Sequence, residues 1–349
     1  MKRNFIWLIL VLMISGLSIL ASVGLAVEDT WTRKADMPIA RMHPSASAVN
    51  GKIYVIGGGP EDGIGGSTVQ EYDPVTDTWA EKANMPTPRW GLSTSVVAGK
   101  IYAIGGAKTS ALSPIRTVEE YDPATDTWTK KADMLSSKWA LSSAVVNGKI
   151  YVFGGGPPGG DRVVYEYDPS TDTWARKADM LTGSFGLSVS AVNGKIYAVG
   201  GSHNHPNITP RVDEYDPATD TWTNRTNMTT ARAWTANSVV DGKIYVIGGS
   251  KRTPDDPPVP TVEIYDPVTN TWTQRTDMPI PRTVLTSSVV DGKIYVIGGS
   301  EKGYPWRPAT AVVEEYDTGF TTLQETVQKT TSVSSEAKLP TIWARIKSQ

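Results

Sequence analysis

The feature that most limits what this chain can fold into is a repeated octet. Gly-Lys-Ile-Tyr-Val-Ile-Gly-Gly first runs from Gly51 to Gly58, and close variants begin at Gly99, Gly148, Gly194, Gly242 and Gly292. The starts fall 48, 49, 46, 48 and 50 residues apart, so one supersecondary unit of nearly fifty residues is used six times. A unit of that length cannot bury its own apolar face, and stacking copies gives it a core. The 349 residues therefore read as one large closed assembly rather than two or three ordinary domains.

Each copy has four parts. A strand of small residues, such as Gly91-Leu-Ser-Thr-Ser-Val-Val, meets the Lys-Ile-Tyr strand through Asn50-Gly51, Ala98-Gly99, Asn147-Gly148, Asn193-Gly194, Asp241-Gly242 or Asp291-Gly292. Asn-Gly and Asp-Gly accept the positive backbone angles of a two-residue hairpin turn. Ile53 and Val55 point one way, Tyr54 and Ile56 the other, and a strand apolar on both faces is covered on both. A third strand ends at Glu71-Tyr72-Asp73-Pro74 and a fourth opens at Trp79, with aspartate and proline setting the turn between them. The unit recurs at Tyr121 and Trp128, Tyr167 and Trp174, Tyr215 and Trp222, and Tyr265 and Trp272. Four antiparallel strands per unit, buried on both sides, are the blades of a propeller.

These residues resemble the kelch family over roughly Trp31 to Tyr316: a Gly-Gly pair, a Tyr-Asp strand, then a tryptophan at nearly fixed distance. The resemblance implies an all-β, six-bladed kelch β-propeller over residues 27–317. The last copy departs from the pattern, since Glu315-Tyr316-Asp317 is followed by Thr318-Gly319-Phe320 with neither proline nor tryptophan. The missing fourth strand lies at the other end, in Thr30-Trp31-Thr32-Arg33-Lys34. The N-terminal strand is thus expected to complete the last blade, which removes the exposed sheet edges of an open ring.

Residues 1–26 begin with Lys2 and Arg3 and continue as an apolar run from Phe5 to Ala26. They read as a signal peptide cut after Ala26, where Gly24 and Ala26 are suitably small, or as an N-terminal membrane anchor, since the run is long enough to span a bilayer. Either way the remainder is exported from the cytoplasm. Residues 318–349 form a Thr/Ser-rich C-terminal tail whose apolar cluster, Ile342, Trp343 and Ile346, could dock. A net charge of -2 without basic runs gives no footprint for nucleic acid, and the absence of cysteine removes thiolate metal sites and cysteine nucleophiles. The Asp73 to Asp77 segment fits turn capping rather than calcium, and no cofactor or metal is expected.

The two kinds of tight turn share one face of the disc, and the loops after each Gly-Gly pair emerge on the other. The repeats diverge there, which marks a binding face. Its candidate residues are Arg116, Arg162, Arg211 and Arg307 at loop ends, where guanidinium groups could receive carboxylates, with Tyr304 and Trp306 in the last loop. Trp90, Trp139, Phe185 and Trp234 sit just before the innermost strands, where they could offer aromatic faces to a ligand or pack between blades. Arg41, Arg89, Arg232 and Arg282 recur at one position and are expected to pair with Glu71, Glu120, Glu166, Glu214 or Glu315. The innermost strands supply hydroxyls and no acid and base pair, so no catalytic residue is nominated. His43, His203 and His205 are too scattered for a metal site.

The reading that follows is an exported monomeric binding protein that captures a protein, peptide or glycan on its loop face. Two alternatives stand beside it. One is a sugar mutarotase, because exported six-bladed kelch proteins include some that resemble N-acetylneuraminate epimerases, and the other is a structural surface protein.

Overall fold

The computed structural model describes residues 29–60, 65–109, 113–156, 160–203, 207–251, 256–303 and 308–320. The N-terminal segment and the C-terminal tail from residue 321 lie outside these residues, as do Arg307, Tyr304, Trp306 and His205. The rest is a six-bladed propeller, with four antiparallel strands in every blade.

In the first blade the strands are Ser45–Val49, Lys52–Ile56, Val69–Asp73 and Thr78–Lys82, ordered from the axis outward. Blades two to five repeat this order. The sixth consists of Thr286–Val290, Lys293–Ile297 and Val313–Asp317, and its outer strand is Thr30–Arg33, paired through Trp31 to Tyr316. The chain therefore closes on itself as its sequence implies. At the hairpin tips Asn50 and Gly51 have φ of 51° and 75°, the pair of positive angles that a type I′ turn needs.

Both faces of each Lys-Ile-Tyr strand are buried, and this binds blade to blade. Tyr54 and Ile56 pack with Leu92, Ile101 and Tyr121 of the second blade, while Ile53 and Val55 pack with Tyr295 and Ile297 of the sixth. At the rim a second device ties neighbours together. Tyr72 donates its hydroxyl hydrogen to Asp77 (2.6 Å), Asp77 accepts the Ala35 amide (2.9 Å), and the Trp79 indole donates to the Ala35 carbonyl (2.9 Å). Asp126, Asp172 and Asp220 repeat the link, and Asn270 replaces aspartate in the fifth blade. In the sixth blade no described residue stands at that turn position, and the Asp29 carboxylate lies near Tyr316 instead. There Trp31 still donates to Thr276 (3.1 Å), and an Arg275 to Asp29 ion pair (3.3 Å) joins the same seam.

The recurrent arginines are fully buried, and their partners differ from expectation by one residue. Arg89 pairs with Glu119 (2.5 Å), Arg232 with Glu263 (2.5 Å) and Arg282 with Glu314 (2.6 Å). Side chains alternate across a strand, so a one-residue change moves the partner to the opposite face of the sheet. Glu71, Glu120, Glu166, Glu214 and Glu315 instead meet Lys82, Lys131, Lys149, Arg225 and Lys293. The other three blades vary the theme. Lys138 reaches Asp161 (2.7 Å), and Ser184 replaces the cation in the fourth blade, where Arg211 approaches Asp213 from outside (3.0 Å). In the first blade Gln70 stands at the glutamate position, and burial alone lowers Arg41 to about 10.

Candidate functional site

The constant part of the repeat ends where each innermost strand begins, and the six residues just before those strands meet around the axis. His43, Gly91, Ala140, Gly186, Trp234 and Val284 all have φ between 52° and 61°. Their backbones form a closed ring. His43 N–H donates to Val284 (2.9 Å), Val284 to Trp234 (3.1 Å), Trp234 to Gly186 (2.8 Å), Gly186 to Ala140 (3.0 Å), Ala140 to Gly91 (2.8 Å) and Gly91 to His43 (3.2 Å). A left-handed backbone costs roughly 1–2 kcal/mol for a residue with a Cβ, and valine is a poor occupant. The ring hydrogen bonds hold these residues in place.

Above the ring lies an aromatic cap on the loop face. Trp90, Trp139, Phe185 and Trp234 are all buried and pack with Met42, Ala140 and Val284. Trp234 belongs to the fifth blade, yet its ring lies 5.4 Å from His43 of the first and 5.9 Å from Trp139 of the third. These blades are not its neighbours, so the indole extends over the axis. Gly186 makes room for it, since a Cβ there would sit 2.7 Å from Trp234 Cδ2. His43 is held between Trp90 and Trp234, and burial lowers its pKa to about 3, so the imidazole is neutral. The indole nitrogens of Trp90 and Trp139 are buried and have no hydrogen-bond acceptor among the described residues.

Below the ring a girdle of Pro44, Leu92, Leu141, Leu187 and Leu285 leads to a cavity of about 220 Å³. Hydroxyls line that cavity and link adjacent blades: Ser45 with Thr94 (2.8 Å), Ser93 with Ser143 (2.7 Å) and Ser188 with Thr235 (2.7 Å). The groups that line this bore include one titratable side chain among the described residues, His43. No group of three potential metal ligands comes together among those residues either.

The structure thus gathers four of the ten nominated residues, Trp90, Trp139, Phe185 and Trp234, into one cluster. The arginines stay apart, each at the start of a third strand and engaged within its own blade. Arg116 pairs with Asp133 (3.3 Å), Arg162 donates to the Met180 carbonyl (2.7 Å), and Arg211 pairs with Asp213. Arg307, Tyr304 and Trp306 lie outside the described residues. His43 is not among the nominated binding residues, although its equivalence to Gly91 and Ala140 within the repeat puts it among the variable positions near the channel mouth.

A family model described as the Attractin/LZTR1 β-propeller matches residues 53–300. The chain belongs to that family. Among curated proteins, this kelch propeller is 41% identical over 68 residues to an F-box/kelch-repeat protein of Arabidopsis thaliana. That match spans 18% of this chain and 18% of the relative's own length. Among solved structures, the propeller resembles YjhT with a TM-score of 0.70 and 16% identity, over 80% of this chain and 95% of the other. At that identity the likeness speaks for the kelch fold alone.

Proposed function

We propose that the protein is a binding module whose ligand, a protein, peptide or glycan, sits at the loop-face mouth of the axis. One observation carries the reading. Other buried polar atoms without partners, among them those of Arg41 and Gln70, are enclosed within the blades, whereas the buried indole N–H groups of Trp90 and Trp139 lie in the cap over the axis and have no acceptor among the described residues. An unsatisfied buried donor costs roughly 1–3 kcal/mol, and a ligand carbonyl or hydroxyl that accepts from it recovers that loss. The surrounding loops differ from blade to blade, as a surface selected for one partner does. The sugar mutarotase reading draws less support from the bore, whose lining holds one titratable side chain among the described residues, His43, kept neutral by burial.

Glycan and peptide arrays probed with the full chain identify a ligand, and Trp90→Phe and Trp139→Phe then test the site. Phenylalanine keeps an aromatic ring and removes the donor. Each variant is expected to weaken binding by roughly 3- to 10-fold, the worth of one hydrogen bond, whereas peripheral Arg116→Ala leaves it nearly unchanged. A ligand bound equally by all three variants and the parent would place the site elsewhere.

A further inference from the structure

Both ends of the propeller leave it at one place. Thr30 is the Cα partner of Asp317, so the first and last strands of the ring end side by side on the turn face of the sixth blade. Thr318 donates to the Gly292 carbonyl (2.7 Å) and Phe320 packs on the same hairpin tip, which holds the exit to that face. The apolar run Phe5 to Ala26 precedes this point by only Val27, Glu28 and Asp29. Three residues span at most about 10 Å.

We infer that the turn face, on the side of the sixth blade, rests against a lipid bilayer, with Phe5 to Ala26 as the anchor and the loop face outermost. A run of 22 residues (5 to 26) is long enough to cross a bilayer, and so short a connection keeps the turn face at its surface. The surface chemistry of that face agrees. Among the described residues Val75 and Val268 are the most exposed large apolar side chains, at 87% and 83%, and occupy turn tips of the first and fifth blades. Those blades flank the sixth. The corresponding tips of the three distant blades carry Ala124, Ser170 and Ala218.

The lysines of the turn face are largely neutralised, Lys52 by Asp73, Lys100 by Asp122 (2.5 Å) and Lys293 by Glu315 (2.8 Å). The turn aspartates outnumber these lysines, so the face is acidic, and its contact falls to the protruding valines and the short tether on a zwitterionic rather than an anionic membrane. The tail that leaves from the same face ends in Ile342, Trp343 and Ile346 beside Arg345 and Lys347, residue types favoured at that interface. This tethering does not depend on what the mouth binds, and it keeps the mouth free.

The chain has no cysteine, so single-cysteine labelling is unambiguous. Val75→Cys, Val268→Cys and, on the loop face, Lys108→Cys are made in the full chain and labelled with a fluorophore. Each is reconstituted into phosphatidylcholine vesicles with and without nitroxide-headgroup lipid. Quenching at positions 75 and 268 is expected to exceed that at position 108 several-fold. Equal or reversed quenching overturns the inference, and so does recovery of the protein in the aqueous fraction starting after Ala26.

Discussion

The rim and the axial mouth of the propeller solve the same problem, holding six blades together, in opposite ways. At the rim one solution recurs: a tyrosine hydroxyl and a neighbouring amide share one carboxylate or amide oxygen, and a tryptophan caps the adjacent carbonyl. At the mouth the backbone ring is regular but its side chains vary, with His43, Ala140, Trp234, Val284 and two glycines at the six equivalent positions. The reason is geometric. A seam at the rim is private to two blades, so the same residues can be reused, with Asn270 standing in for aspartate at one seam. The axis is a single place shared by all six, and six indoles cannot occupy it. Trp234 and Trp139 can reach inward because Gly186 and Gly91 present no side chain beneath them. Sharing one point forces the repeats to differ there, and that difference can then be used for recognition.

If the rim links are interchangeable, breaking any one should cost much the same. Asp126→Ala removes the acceptor of the Tyr121 hydroxyl (2.6 Å) and of the Ala83 amide (2.8 Å). The expected loss is roughly 2–4 kcal/mol, because a buried phenol is left unpaired. Asp172→Ala and Asp220→Ala should match it within about 1 kcal/mol, as independent sites of one geometry do. Urea denaturation of the three variants checks this, and a several-fold spread would break the equivalence.

The mouth predicts a pH dependence that the rim does not. His43 has a folded pKa of about 3, below its ordinary value of 6.5, because burial disfavours the charged ring. A lowered histidine leaves stability complete above pH 6.5. As pH falls towards 3 the unfolded chain takes the proton first, and stability drops by up to about 1.4 kcal/mol per unit. His43→Gln should flatten the slope of melting temperature between pH 6.5 and 5. A slope unchanged by that substitution would show that the imidazole is not sequestered.

The smallest effect is expected at the turn face. Ala98 has a φ of 50° at the hairpin position where the other blades carry Asn or Asp. Ala98→Asn should raise stability by roughly 0.5–1 kcal/mol, since asparagine tolerates that conformation better. A thermal melt resolves the gain, and a loss would mean that the alanine side chain does more than fill a turn.

The architecture was legible from the repeat: six glycine pairs, hairpins at Asn-Gly and Asp-Gly, and closure by Trp31 all follow from local pattern. The pairing of Arg89 with Glu119 rather than Glu120 was not, because both glutamates lie on one short strand and only the sheet faces distinguish them. The mouth was half legible. Its residues could be picked out as variable positions before each inner strand, but repeat position fixes a place within a blade and not a distance across the axis. Nothing in the sequence says that Trp234 meets Trp139 two blades away, or that Val284 takes up a left-handed backbone. Arg116, Arg162 and Arg211 misdirected attention to the loop ends, since a surface arginine engaged with its own blade reads in sequence like one that awaits a ligand.

The ring of six amides also bears on how such a molecule can change over generations. Each ring residue donates once and accepts once, all in the same rotational sense. Copying a whole blade would insert one more donor and one more acceptor together, so the circuit could lengthen without leaving an orphaned group. Copying half a blade would leave it open. Tandem duplication in whole units is thus the growth step that this centre tolerates chemically, and the splitting of the last blade between the two ends of the chain confines such copies to the interior of the gene.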